Sequence, residues 1–148
     1  MSELKHTDFM KGLGQLLPDR MPTPYKKYRL GETRWFFQVY FEERAIHYEV
    51  SRPNARNGRM LEVGLHFESR NKDLNQRLLE AFFPYILEIR AALGDQVVAE
   101  TWDRGWTKLY EAYPSEALTT DQQVFTAKRL AEFIAVVQPI YEYLHKGR

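Results

Sequence analysis

Apolar and polar positions alternate most regularly between Trp35 and Glu68. Trp35, Phe37, Val39 and Phe41 alternate with Phe36, Gln38, Tyr40 and Glu42, the period of two that marks a strand. Beyond the polar turn Glu42-Glu43-Arg44, Ile46, Tyr48 and Val50 alternate with His47 and Glu49. After a loop over 51–58 that ends in the turn signal Asn57-Gly58, Leu61, Val63, Leu65 and Phe67 alternate with Glu62, Gly64, His66 and Glu68. A three-strand meander is the expectation. Residues opposite one another in a pair share a face, so apolar should meet apolar. Pairing Phe41 with Ile46, Val39 with Tyr48 and Phe37 with Val50 achieves this, as does pairing Val50 with Leu61, Tyr48 with Val63 and Ile46 with Leu65. On that register Glu49 stands opposite Glu62.

Helical spacing brackets the meander. Phe9, Leu13, Leu16 and Leu17 form a stripe that predicts a short helix over Ser2 to Leu17, capped by Thr7 or Asp8. Gly12 and Gly14 weaken it, each by about 1 kcal/mol relative to Ala. Pro18, Pro22 and Pro24 make the next stretch an irregular connection. A second helix runs from its cap Asn71 to Leu93, with Gly94 as the stop and Pro84 set to kink or split it. Gln96 to Tyr113 reads as a second hairpin, with Asp103-Arg104-Gly105 turning between Trp102 and Trp106. Facing those tryptophans puts Glu100 against Lys108 and Val98 against Tyr110. Thr120-Asp121-Gln122-Gln123 opens a last helix whose apolar stripe reaches Leu144, with a kink expected at Pro139. The order is α-β-β-β-α-β-β-α. It predicts an α+β fold: an antiparallel sheet of about five strands, a meander plus a hairpin, with three helices mainly on one face.

Composition narrows the setting. A chain of 148 residues is one domain by size, and 1–148 reads as a single unit. The aromatic share of 14% is high, which suits strands and a face that holds a partner. There is no cysteine, which removes disulfides, thiolate-ligated metals and thiol catalysis together. No early apolar run could be a signal-peptide core, and no segment approaches the ~20 apolar residues of a membrane span. A cytoplasmic protein with no membrane partner is the expectation.

The non-core face of the meander carries the candidate chemistry. His47, Glu49, Glu62, His66 and Glu68 make a ligand set for a divalent metal, and Glu49 beside Glu62 calls for a cation or a shared proton. These five are the candidate metal ligands of a metal-dependent hydrolase or nuclease on the open sheet face. The competing reading is a solvated face, since exposed strand positions are polar by default and no His-Glu-x-x-His spacing occurs. A nuclease built on Glu-x-Lys is disfavoured because Lys108 has no acidic residue two positions earlier. No Gly-x-Ser-x-Gly and no nucleotide fingerprint appear, so neither a catalytic residue nor a cofactor is assigned.

A candidate binding surface comprises Tyr25, Lys26, Lys27, Arg29, Trp102 and Trp106. In Tyr25-Lys26-Lys27-Tyr28-Arg29 rings and cations interleave as in single-strand nucleic-acid binders, though a net charge of +1 weighs against that partner. The paired tryptophans suit a protein partner or a buried core position. The element order is similar to that of small bacterial secretion chaperones, and the resemblance implies a homodimer that holds a partner chain. With no catalytic motif in the chain, the leading expectation is a non-catalytic interaction or chaperone-like module acting as a homo-oligomer. The metal-dependent enzyme is the alternative.

Overall fold

The computed structural model describes residues 3–55 and 58–146. In chain order the elements are α1 (His6–Leu16), β1 (Arg29–Leu30), β2 (Phe37–Tyr40), β3 (Ile46–Ser51), β4 (Asn54–Ala55), β5 (Gly58–Phe67), α2 (Lys72–Ala81), α3 (Ile86–Leu93), β6 (Val98–Thr101), β7 (Thr107–Pro114) and α4 (Thr120–His145). The strands form an antiparallel sheet in the order β1-β2-β3-β5-β7-β6, and the short β4 pairs with the start of β5. This is the α+β architecture that the pattern predicts, with meander and hairpin joined along β5 and β7. The turn signal at Asn57 lies outside the described residues.

One sheet face is apolar and the helices cover it. Phe37, Val39, Tyr48, Val50, Leu61, Val63, Leu65 and Phe67 are all buried there with Phe9 and Leu13 of α1 and Leu130, Phe133 and Ile134 of α4. Two polar ties cross this layer. Tyr48 donates its hydroxyl to Gln138 Oε1 at 2.8 Å. Arg129 of α4 donates to both carboxylate oxygens of fully buried Glu111, at 2.6 and 2.8 Å. No helix among the described residues is long and apolar enough to cross a membrane.

Several expectations are corrected. α1 begins at His6 without a side-chain cap, so neither Thr7 nor Asp8 serves as one. Pro84, as expected, splits the second helix into α2 and α3 through a 3-10 turn over Phe83–Tyr85, because it lacks the N–H that would continue the ladder. Pro139 does not interrupt α4, which runs unbroken from Thr120 to His145. Asn71 caps α2 as expected, accepting from the Leu74 N–H at 3.1 Å.

The register matters most for function. β2 and β3 pair as expected, Val39 opposite Tyr48 and Phe37 opposite Val50. β3 and β5 are displaced by two residues from the expected pairing, with Ile46 opposite Phe67, Tyr48 opposite Leu65 and Val50 opposite Val63. A slip of two keeps every side chain on its face, so matching apolar to apolar does not distinguish the two registers. The hairpin itself sets the choice. Asn54–Ala55 pairs with Gly58 and Arg59, and the Met60 N–H donates to Pro53 O, so the strands begin their ladder earlier than a ten-residue loop would allow. Glu49 therefore stands opposite Gly64, and Glu62 stands opposite Ser51.

Candidate metal centre and its pocket

The other sheet face is not an open polar surface. His47, Glu49 and His66 are 3%, 6% and 2% exposed, which overturns the solvated-face reading of these positions. The register brings them together. His47 stands directly opposite His66 across β3 and β5. Each histidine has a glutamate two residues further along its strand, on the same face. Glu68 lies one residue past β5, its backbone still held by a bond from its N–H to Ala45 O at 2.8 Å.

The four side chains converge. His47 Nε2 lies 3.0 Å from Glu49 Oε1 and 3.7 Å from Glu68 Oε2. His66 Nδ1 lies 2.9 Å from Glu68 Oε2 and 3.9 Å from Glu49 Oε2. A tetrahedral cation with ligand bonds of about 2.0–2.2 Å places its donor atoms roughly 3.3–3.6 Å apart. The four separations bracket that edge, and one donor atom from each residue falls within 4.8 Å of every other. Two imidazoles and two carboxylates suit zinc and similar transition metals better than calcium or magnesium, which want shells of oxygen.

The surrounding bonds orient these donors. His47 Nδ1 donates to Arg44 O at 2.8 Å, which directs Nε2 into the cluster. Gln38 donates its amide to Glu49 Oε1 at 2.9 Å. Outer partners of this type fix metal-ligating side chains. The neighbouring carboxylates favour the charged form of His47. Burial opposes that charge, but the Glu49 hydrogen bond and the charges of Glu68 and Glu49 outweigh it and raise the His47 pKa. Burial likewise opposes ionisation of Glu49, yet the His47 bond, the field of His66 and the Gln38 bond hold its carboxyl below the usual range.

Glu62 does not join the cluster. Its Oε1 takes the Lys108 ammonium at 2.8 Å, in a pair that is largely buried. Its expected role as a ligand rested on the register that is two residues out. Lys108 also sits over the rings of Trp102, 5.0 Å from its centroid, and Tyr110, at 4.2 Å.

A pocket of ≈ 540 Å³ opens beside the cluster, floored by Glu49, His66, Glu68, Glu62 and Lys108. Trp102 and Trp106 wall one side. They face each other as expected, edge to face at 5.4 Å, and Trp102 also meets the His66 ring at 5.7 Å. They are half-buried and wall the pocket, neither packed core nor free surface. Trp35 and Phe36 form another wall. Contrary to the strand expected from Trp35, β2 starts at Phe37, and Trp35 and Phe36 are exposed. The Glu32 carboxylate accepts from the backbone N–H groups of Arg34, Trp35 and Phe36 at 2.7–3.2 Å, which turns this segment off the sheet. His6 donates to Trp35 O at 2.7 Å from across the chain.

The basic-aromatic stretch is separate in character. Tyr25 and Tyr28 pack against the core, and Tyr25 donates to Glu142 at 3.1 Å, while Lys26, Lys27 and Arg29 face solvent. Its rings are thus spent on the core and offer no stacking platform. Pattern reading missed Gln38, Arg52, Lys108 and the Trp35–Phe36 wall as parts of the site. Alternation already puts Gln38 on the polar face opposite Glu49, and the Glu100–Lys108 pairing puts Lys108 there beside His66, whereas nothing in the pattern points to Arg52 or to the Trp35–Phe36 wall.

No protein-family model matches the chain, and neither a curated protein nor a solved structure is significantly similar to it.

Proposed function

We propose that the protein is a metal-dependent hydrolase acting on a small molecule held in the aromatic-walled pocket. The observation that carries this reading is the convergence of His47, Glu49, His66 and Glu68 at one buried point. The cluster sets the carboxylates of Glu49 and Glu68 beside His47 and His66 with little exposure to water, and a divalent cation balances the charge of two carboxylates there. Bound there, such a cation polarises a carbonyl and acidifies a water.

The protein's own groups supply the remainder. His47, His66 and Glu49 are the natural holding set, because His47 and Glu49 have outer partners in Arg44 O and Gln38. Glu68 is the most exposed of the four side chains, at 17%, and lines the pocket. It is placed to accept the proton of an attacking water as general base. The tryptophan walls exclude bulk water and orient a flat substrate over the floor. A small substrate suits a pocket of ≈ 540 Å³, and a net charge of +1 offers no general attraction for a nucleic acid.

Calorimetric titration of chelator-treated protein with Zn²⁺ and Mn²⁺ tests the reading. One cation per chain is expected, lost in His47→Ala and His66→Ala. Equal heats for wild type and both variants would sink it.

A second reading, the homodimeric interaction module, draws on β6. All four of its residues are exposed, and it ends the sheet with no strand on its outer side among the described residues. Such an edge is a template for pairing with another chain. Light scattering that finds only monomer at high concentration removes this reading.

A further inference from the structure

All three tryptophans of the chain line the pocket beside the metal cluster. Each already has a cation over its ring: Arg34 over Trp35 at 5.4 Å, Arg104 over Trp106 at 5.4 Å and Lys108 over Trp102 at 5.0 Å. Such pairs attract within about 6 Å of the ring centre. The protein's own side chains thus take the place that a cationic ligand would hold against these rings. One cation covers one face of a ring, and a flat ligand meets what remains.

The charges of the lining are matched as well. Glu62 takes the Lys108 ammonium at 2.8 Å. Glu49 and Glu68 face His47 and His66, and a dication bound among them balances the two carboxylates. Arg52 donates to Ser115 O and Glu116 O, and the carboxylates of Glu3 and Glu116 act on it against the like charge of Arg59. A charged ligand would have to break one of these pairings or leave its own charge desolvated without a partner. A neutral ligand does neither. The aromatic wall also begins at the metal cluster, because Trp102 meets the His66 ring edge to face with centroids 5.7 Å apart. A ring joined directly to a carbonyl group therefore meets Trp102 when its oxygen reaches the cation, with no long span to bridge.

We infer that the pocket takes a neutral aromatic carboxamide or ester, its ring among the tryptophans and its carbonyl oxygen on the cation. The place of the carbonyl rests on the metal reading proposed above, and the place of the ring rests on the pocket alone. The inference names the substrate class of that hydrolase. Water adds to the carbonyl carbon, Glu68 carries its proton to the leaving nitrogen or oxygen, and the C–N or C–O bond breaks to give the acid and an amine or alcohol.

The three indole N–H signals of a ¹⁵N–¹H spectrum report on this pocket alone, since no tryptophan lies elsewhere. Titration with benzamide tests the inference. In metal-free protein benzamide should shift these signals saturably. It should bind on the order of 5-fold more tightly than cyclohexanecarboxamide, which keeps the amide and loses the flat ring. Trp35→Leu, a change at an exposed wall residue, should reduce that preference about 2-fold. In Zn²⁺-loaded protein benzamide should gain about 3-fold, the weight of one polar contact. There benzamidinium and benzenesulfonate, a cation and an anion on the same ring, should bind about 10-fold more weakly than benzamide. Equal affinity for benzamide and cyclohexanecarboxamide overturns the inference. So does either ion binding as tightly as benzamide, or the absence of a saturable shift up to about 10 mM. An affinity indifferent to Zn²⁺, in protein that calorimetry shows to hold the metal, overturns the place of the carbonyl. Protein that takes up no Zn²⁺ refutes the metal reading instead, and the ring preference in metal-free protein is then decided by itself.

Discussion

His47 and His66 are cross-strand neighbours whose rings stack with centroids 5.5 Å apart and planes 25° from parallel. The stacking presents Nε2 of one and Nδ1 of the other to the same two carboxylates. A cation at that point binds the folded chain and not the unfolded one. At a free concentration of 100 times Kd it should add about 2.7 kcal/mol of stability. At roughly 2–4 °C per kcal/mol, the melting temperature should rise by about 5–11 °C on adding Zn²⁺. Chelator should reverse the shift. A melt indifferent to both additions contradicts the site.

Gln38 should tune that affinity without touching the metal. It holds Glu49 Oε1 at 2.9 Å from the neighbouring strand. Gln38→Leu frees the carboxylate to rotate, and the loss expected for an outer partner is about 10–100-fold in Kd. Calorimetry on the folded variant reads it directly. An unchanged Kd would mean that Glu49 does not need this support, or does not ligate.

Gly64 should not tolerate a side chain. A Cβ there would lie 2.4 Å from the Tyr110 Cβ and 2.6 Å from Leu109 O, where β7 crowds β5. The Leu109 carbonyl belongs to the backbone and cannot swing away. Gly64→Ala should destabilise by about 1–3 kcal/mol, the range for overpacking. Urea denaturation gives the number, and a midpoint at or above that of wild type disproves the crowding.

Much of this architecture was legible because it depends on period. Alternation identified β2, β3 and β5, and the β2–β3 register followed from apolar matching at Val39 and Tyr48. The facing of Trp102 with Trp106 and of Glu100 with Lys108 followed from turn length. The site was half legible: His47, Glu49, His66 and Glu68 were named, but beside Glu62, which belongs to Lys108. The error has one source. A shift of two along β5 leaves the face of every residue unchanged, so only the hairpin at Asn54–Ala55 decides it. Burial of the polar face was illegible for another reason: its walls come from Glu32 folding Trp35 and Phe36 off the strand, a side chain-to-backbone contact that no periodicity records.

The Glu111–Arg129 pair should behave as a buried ion pair. Glu111 is fully buried, and its hydrogen bonds outweigh desolvation to keep the Arg129 guanidinium firmly protonated. Arg129 also donates to Leu93 O at the end of α3, so it ties three elements together. Glu111→Ala leaves the cation without its partner and should cost about 3–5 kcal/mol. Replacing both, with Glu111→Leu and Arg129→Met, should recover most of that loss, because neither charge is then left buried without its counter-charge. A double variant no more stable than the single one refutes this account.

Asn75 should connect stability to the pocket wall. It is fully buried at the first turns of α2 and spends its amide on two backbones, accepting from Ser69 N at 2.9 Å and donating to Ser69 O at 2.8 Å and Gly105 O at 3.1 Å. Gly105 closes the turn between Trp102 and Trp106, where Arg104 and Gly105 both have positive φ, at 62° and 74°. That turn therefore depends on a partner from another element as well as on its own glycine. Asn75→Ala removes all three bonds and leaves partly buried backbone groups of Ser69 and Gly105 unmet, which should destabilise by about 1–3 kcal/mol. The loss should be local in its dynamics. Amide exchange should accelerate over 102–106 more than in β3, and the fluorescence of the paired tryptophans should shift toward a wetter environment. Uniform acceleration across the sheet would instead make Asn75 a general core residue, with no particular hold on the wall.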